Sequence, residues 1–176
     1  MIQALNTGGD RGYLRIASEE AFATQDQFDA IMRLVKDGRA DQGTMSLWGF
    51  YGTSASERTT FIRERLLDLG ELRIGAMDAA GIDKAVLALT SPGTQSLHDV
   101  DEARRIARSA NDQLKAACEK YPTRFHGMIA IAPQDPEWSA QELRRGKEEL
   151  GFHGVQINSH THGRYLDEEQ FDPILR

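Results

Sequence analysis

Four apolar segments of strand length recur along this chain, each followed by a stretch of helical periodicity, and that alternation constrains the fold more than any single motif. The strand segments read as residues 13–18, 84–89, 125–131 and 154–157. The second is nearly continuous in apolar residues, as expected of a strand covered on both faces. Between the first two, Thr24 can cap a helix carrying Phe28, Ile31, Met32 and Val35, which Gly38 ends. Residues 39–55 read as irregular despite Leu47, Trp48, Phe50 and Tyr51. Helical spacing returns from Ser56, through Phe61, Ile62, Leu66 and Leu69, and again from Leu72 to the stop at Gly81. Later helices are predicted over residues 100–120, from Asp135-Pro136 to Gly151, and from 167 onward.

A crossover helix returns the chain in the same direction each time, so four such units predict a parallel sheet. An open doubly wound sheet usually places a glycine-rich phosphate turn after its first strand. Here Ser18-Glu19-Glu20-Ala21 has no glycine and presents negative charge, which repels a pyrophosphate. A (β/α)8 TIM barrel fits better, although a complete one needs about 250 residues. The expectation is therefore the first four βα units of a barrel, with residues 1–176 forming the N-terminal half of one domain and an inserted loop at about 39–55. Such a chain would be a truncated or proteolysed product, or one piece of a split protein.

Composition narrows the partners. The 176 residues are 40% hydrophobic with a net charge of −6, and Lys and Arg are scattered among acids. No basic stripe offers itself to nucleic acid or an anionic membrane, so small molecules or proteins are the expected partners. There is no apolar run of bilayer length and no basic-then-apolar leader, which places the protein in the cytoplasm. The single cysteine, Cys118, sits on an apolar helix face and reads as a buried, inert thiol.

The chemistry-bearing candidates are few. Glu19 and Glu20 follow the first strand segment, where α/β folds place catalytic groups, although an acid there is more often a cap or a solvated loop residue. Thr90 stands at the end of the second strand segment. Arg58 carries a planar fork able to grip a carboxylate in two hydrogen bonds, against the plainer role of a surface partner for Glu57. Leu47, Trp48, Phe50 and Tyr51 can wall an aromatic ring or pack in the core. His160-Thr161-His162 has metal-binding spacing, but it follows the fourth strand segment, whereas hydrolases carry such a pair on the first. His98, His126 and His153 read as structural or surface residues, and no nucleophile with a nearby base shows a local signature.

Several of these segments carry a resemblance together. Residues 14–23, Trp48-Gly49-Phe50-Tyr51, Ser56-Glu57-Arg58, residues 77–84, residues 89–93 and residues 154–160 are similar, in order and spacing, to the amidohydrolase-related aromatic acid decarboxylases, in the carboxyvanillate branch. The resemblance implies an amidohydrolase-type TIM barrel and nonoxidative loss of CO2 from a hydroxylated aromatic acid, 5-carboxyvanillate giving vanillate. It puts a metal-ligating glutamate on Glu19, a substrate-gripping arginine on Arg58, and pocket residues on Leu47 and Thr90. Where many relatives have a metal-binding histidine, this chain has Ala21, as the carboxyvanillate branch does. The remaining ligands, a histidine after the fifth strand and an aspartate after the eighth, fall beyond Arg176. The implied cofactor is Mn2+, with Zn2+ the rival and no organic cofactor, and the implied assembly is a homodimer or higher homo-oligomer. Two other readings stay open: a metal-dependent hydrolase on the same barrel, and a noncatalytic half-barrel.

Overall fold

The computed structural model describes residues 12–176. Its elements run β1 (Ile16–Phe22), α1 (Gln25–Lys36), α2 (Gln42–Tyr51), α3 (Glu57–Leu67), α4 (Glu71–Ala80), β2 (Lys84–Leu89), α5 (Val100–Lys120), β3 (Phe125–Gly127) and α6 (Pro136–Glu148). A short 3-10 turn, Glu169–Phe171, then leads into α7 (Asp172–Leu175). The strands form one parallel sheet in the order β1-β2-β3.

The helix boundaries follow from capping chemistry. Thr24, Ser56, Asp99 and Asp135 accept hydrogen bonds from backbone N–H groups three residues on, which satisfies donors that a helix start leaves unpaired. Gly81 closes α4 at φ 67°, a left-handed conformation that glycine adopts without steric cost. Along α5 the buried residues Ala103, Ile106, Ala107, Ala110, Leu114 and Ala117 recur at three- and four-residue intervals and face the sheet. Leu87, Leu89, Phe22, Phe125 and Phe152 meet that stripe to form the main core. Burying a side chain such as Leu114, fully enclosed here, stabilises the fold by roughly 1.5–3 kcal/mol.

One polar cluster is built into the helix layer. The Asn111 amide donates to the Ala130 carbonyl at 2.9 Å, and its oxygen accepts from the Ala130 N–H at 2.8 Å. Asn111 also donates to the buried Glu142, which accepts from Arg108 at 2.6 Å and from Arg145 at 2.6 Å. Burial would raise the Glu142 carboxyl, but the hydrogen bonds from Arg145, Asn111 and Arg108 outweigh it and hold the group below its ordinary value.

Five expectations need correction. The first strand begins at Ile16 and runs on to Phe22, so Glu19 and Glu20 lie inside it, not after it. Residues 39–55 are not irregular, because α2 fills most of them, capped by Asp41 accepting from the Thr44 N–H at 3.0 Å. The sequence hides this helix because apolar residues occur all round it, leaving no amphipathic stripe to read. The third strand is three residues long, and the fourth is reduced to a single parallel bridge between Ile129 and Val155. The final helical segment starts at 169, later than expected.

Candidate functional site

In a strand, alternate residues serve opposite faces, and a bulge in β1 decides which face each glutamate takes. Ala17 pairs with Ala85 and Glu20 with Leu87, so Ser18 and Glu19 together stand opposite the single residue Val86. Leu87 belongs to the core beneath α5, which puts its partner Glu20 on the helix side. There Glu20 lies 3.9 Å from Arg73 and borders a cavity of about 420 Å³ with Phe61, Arg65 and Met77. Glu19 takes the other face, the inner face of the sheet, where it is exposed.

Arg58 is the second residue of α3, exposed, and it forms no ion pair with Glu57 or any other of the described residues. The helix it opens is tied to the sheet by the Ala23 N–H donating to the Leu66 carbonyl at 2.8 Å. Thr90 follows β2 directly and is half-buried, its N–H donating to the Phe22 carbonyl at 2.7 Å and its carbonyl accepting from the Gln27 amide at 3.0 Å. Both β1 and β2 thus deliver candidate groups toward their carboxyl ends, where barrel folds hold their chemistry.

Leu47 lies elsewhere. It borders a cavity of about 590 Å³ between α2 and the loops after β2 and after the Ile129–Val155 bridge, together with Arg39, Asp41, His98, His160 and His162. Glu19, Arg58 and Thr90 do not line this cavity, so the chain alone does not gather the four predicted residues into one enclosure. Trp48 is not a wall: it is buried, its Nε1 donates to the Ser91 carbonyl at 3.0 Å, and its ring meets Phe28 edge-on. Phe50 and Tyr51 pack edge-on against each other, with Phe50 exposed.

The histidines do not form a metal site. His98 and His162 stack with ring centroids 4.9 Å apart, and His162 adopts φ 51°. Partial burial and the adjacent His98 push the His162 imidazole below its ordinary value. His160 accepts from the Gly163 N–H through Nδ1. Among the described residues no three His, Cys, Asp or Glu side chains converge to hold a metal ion. Glu19 offers a hard oxygen donor of the kind Mn2+ takes, but a single carboxylate does not make a complete site.

Sequence reasoning missed two residues that organise this end of the molecule, Gln27 and Gln95. Both are buried amides whose partners lie more than sixty residues away, so no local pattern announces them.

Comparison with known proteins supplies the class. Residues 61–176 match the Amidohydrolase family, and the chain belongs to it. The structure superimposes on 5-carboxyvanillate decarboxylase of Novosphingobium aromaticivorans DSM 12444 with a TM-score of 0.95 and 68% identity, covering all of this chain and 50% of that one. That protein was crystallised with manganese and 4-hydroxy-3-methoxy-5-nitrobenzoic acid. A 5-carboxyvanillate decarboxylase from Sphingomonas paucimobilis gives a TM-score of 0.82 at 35% identity, covering 92% of this chain and 48% of that one. In sequence, gamma-resorcylate decarboxylase of Polaromonas sp. strain JS666 is 40% identical over 119 residues, 64% of this chain and 36% of its own length. The chain thus spans about a third of that relative and about half of the solved decarboxylases. The fold is that of an amidohydrolase-type TIM barrel in part, with a three-stranded sheet left unclosed.

Proposed function

We propose that the chain is the N-terminal half of a single-domain, metal-dependent decarboxylase of hydroxylated aromatic acids, with 5-carboxyvanillate as substrate and vanillate and CO2 as products. The observation that carries this reading is the bulge that turns Glu19 onto the inner face of the sheet while Glu20 is committed to Arg73. It is supported by 68% identity to a decarboxylase that binds manganese and a nitro analogue of such an acid.

Glu19 supplies one oxygen ligand to a divalent ion, Mn2+ in preference to Zn2+, and the other ligands come from outside this chain. When bound, that ion supplies Lewis-acid polarisation of the substrate's phenolate and carboxylate oxygens. Arg58, paired with no carboxylate among the described residues, orients the substrate carboxylate through two parallel hydrogen bonds. Leu47 packs on the ring, and Thr90 offers a hydroxyl at the end of β2. The small aromatic carboxylate is the partner, with neither nucleic acid nor membrane; no helix of the described residues is long and apolar enough to cross a bilayer. The exposed edge of β1, including Ile16, favours a homodimer or higher assembly, and the cytoplasm is the proposed location.

The test is the intact mass of the purified protein, measured together with vanillate formation from 5-carboxyvanillate in added Mn2+. A mass near that of a full barrel with turnover supports the reading, and Glu19→Gln should then lower both bound manganese and rate. A mass of 19.6 kDa without turnover overturns the catalytic reading for this chain and leaves a noncatalytic half-barrel.

A further inference from the structure

The loop after β2, residues 90–97, is held by side chains from several elements. Gln27 of α1 donates to the Thr90 and Gly93 carbonyls, and Trp48 of α2 donates to the Ser91 carbonyl. Gln134, beyond β3, donates to the carbonyls of Thr94 and Leu97. Two residues of the loop reach outward in return: Thr94 Oγ1 donates to the Ile131 carbonyl at 2.6 Å, and Gln95 spans to a more distant segment. The Gln95 amide nitrogen donates to Thr161 Oγ1 at 2.9 Å and to the carbonyls of His160 at 3.0 Å and Asn158 at 3.2 Å. Its oxygen accepts from the Asn158 N–H at 2.6 Å. Gln95 is buried, and every hydrogen bond of its side chain goes to a segment 63–66 residues away.

That segment has little sheet pairing to fix it. Sheet pairing of the fourth strand amounts to the Ile129–Val155 bridge, and the last ladder-type bond is the Gln156 N–H to the Ile129 carbonyl. Beyond it, residues 158–161 meet the β2 loop through the Gln95 side chain, and the next residue, His162, stacks on His98. Resting on the decarboxylase reading above, we infer that Gln95 is a positioning residue for that reaction. It locks the loop bearing Thr90 to the loop bearing Asn158 and His160, and so sets the width of the cavity that Leu47 borders. The chemistry requires this because a substrate ring held about 1 Å out of place can lose about a hundredfold in rate.

The experiment compares the purified, manganese-loaded protein with its Gln95→Ala and Gln95→Glu variants. Gln95→Glu keeps the volume but replaces the N–H donors with oxygens facing carbonyls, so it remains informative if the alanine variant folds poorly. Three readouts are taken: kcat and KM for the aromatic acid, bound manganese, and amide exchange of residues 157–164 by mass spectrometry. The expected result is faster exchange confined to that segment, unchanged manganese, and a fall of at least tenfold in kcat/KM with KM rising more than kcat falls. Thr161→Val, which removes one of the acceptors, should give a smaller change in the same direction. Faster exchange with unaltered kinetics overturns the inference and makes Gln95 a structural latch only, and unchanged exchange overturns it outright. A wild-type protein without decarboxylase activity overturns the functional reading and the positioning role with it, while exchange still reports separately whether the latch exists.

Discussion

The flank built from β2, β3, α5 and α6 and the flank built from β1, α3 and α4 belong to one sheet but are finished differently. On the first, Leu87, Ala107, Ala110 and Leu114 are fully enclosed, and Asn111, Glu142, Arg108 and Arg145 satisfy one another. On the second, Ile16, Phe61 and Leu72 are each more than half exposed, and a cavity of about 420 Å³ lies beside Glu20. Arg73 is the exception there, since it is mostly buried and donates to the carbonyls of Ala21, Arg65 and Asp68, joining α4 to β1. The difference separates two requirements. Cohesion resides in the α5–α6 flank, whereas Glu19 and Arg58, the groups proposed to do chemistry, stand on the flank with uncovered apolar surface.

The contrast can be broken most directly at Leu114. Leu114→Ala should destabilise the protein by about 3–4 kcal/mol, because the lost transfer energy is joined by the cost of a cavity that a tightly packed core cannot close. Urea unfolding checks it, and a loss under 1 kcal/mol would move cohesion away from α5. Glu142→Ala comes next, at about 3 kcal/mol, the lower end for a broken buried pair because Arg108 is half exposed and Arg145 keeps Asp112. In a chain of this size that corresponds to roughly 6–12 °C in Tm.

Acid titration gives a smaller effect from the same cluster. Glu142 is held below its ordinary 4.5 in the folded state, so its stabilisation is complete above that unfolded value and is lost as pH falls through the lower folded one. Asp41 behaves likewise: burial works against it, but hydrogen bonds from Thr44 and Gly43 bring it below its usual value. Urea midpoints measured at pH 7, 5 and 3 should fall a little between 7 and 5, where His162 must give up the neutral form that the fold favours, and further toward 3 as the carboxylates protonate. In Glu142→Gln the fall toward 3 should shrink; an equal fall would assign the acid sensitivity elsewhere. The smallest change is expected on the open flank, where Phe61→Ala should alter stability by about 0.5 kcal/mol or less. A loss above 2 kcal/mol would show that this face is covered in solution.

Much of the architecture was legible in the sequence, and the reasons are local. The span of β2, the whole of α5, the cap at Thr24 and the helix starts at Ser56 and Asp135 follow from apolar runs, three-four spacing and residues that act within a few positions. Cys118 is half-buried, not fully enclosed as expected, and desolvation pushes its thiol up to about 11. What escaped reading depends on partners distant in sequence. The bulge at Ser18–Glu19 is a register relation with β2, and the brevity of β3 and of the Val155 segment is a matter of which neighbour each finds. Of the candidate site, Arg58 and Thr90 were visible as residue types at a helix start and just past a strand, whereas Glu19 was expected after a strand that in fact continues to Phe22. The separation of Leu47 into its own cavity and the Gln95 latch could not be read, because amide side chains carry no positional signature.

The bulge in β1 also bears on how relatives should be aligned. Two identical letters in succession look interchangeable, and an alignment that slips by one position there incurs almost no scoring penalty. In the folded chain the slip would exchange a residue open to the barrel interior for one engaged with Arg73 behind the sheet. Glu19 and Glu20 are therefore not redundant copies, and deletion of either should be as damaging as its replacement, since the survivor would have to serve two faces at once.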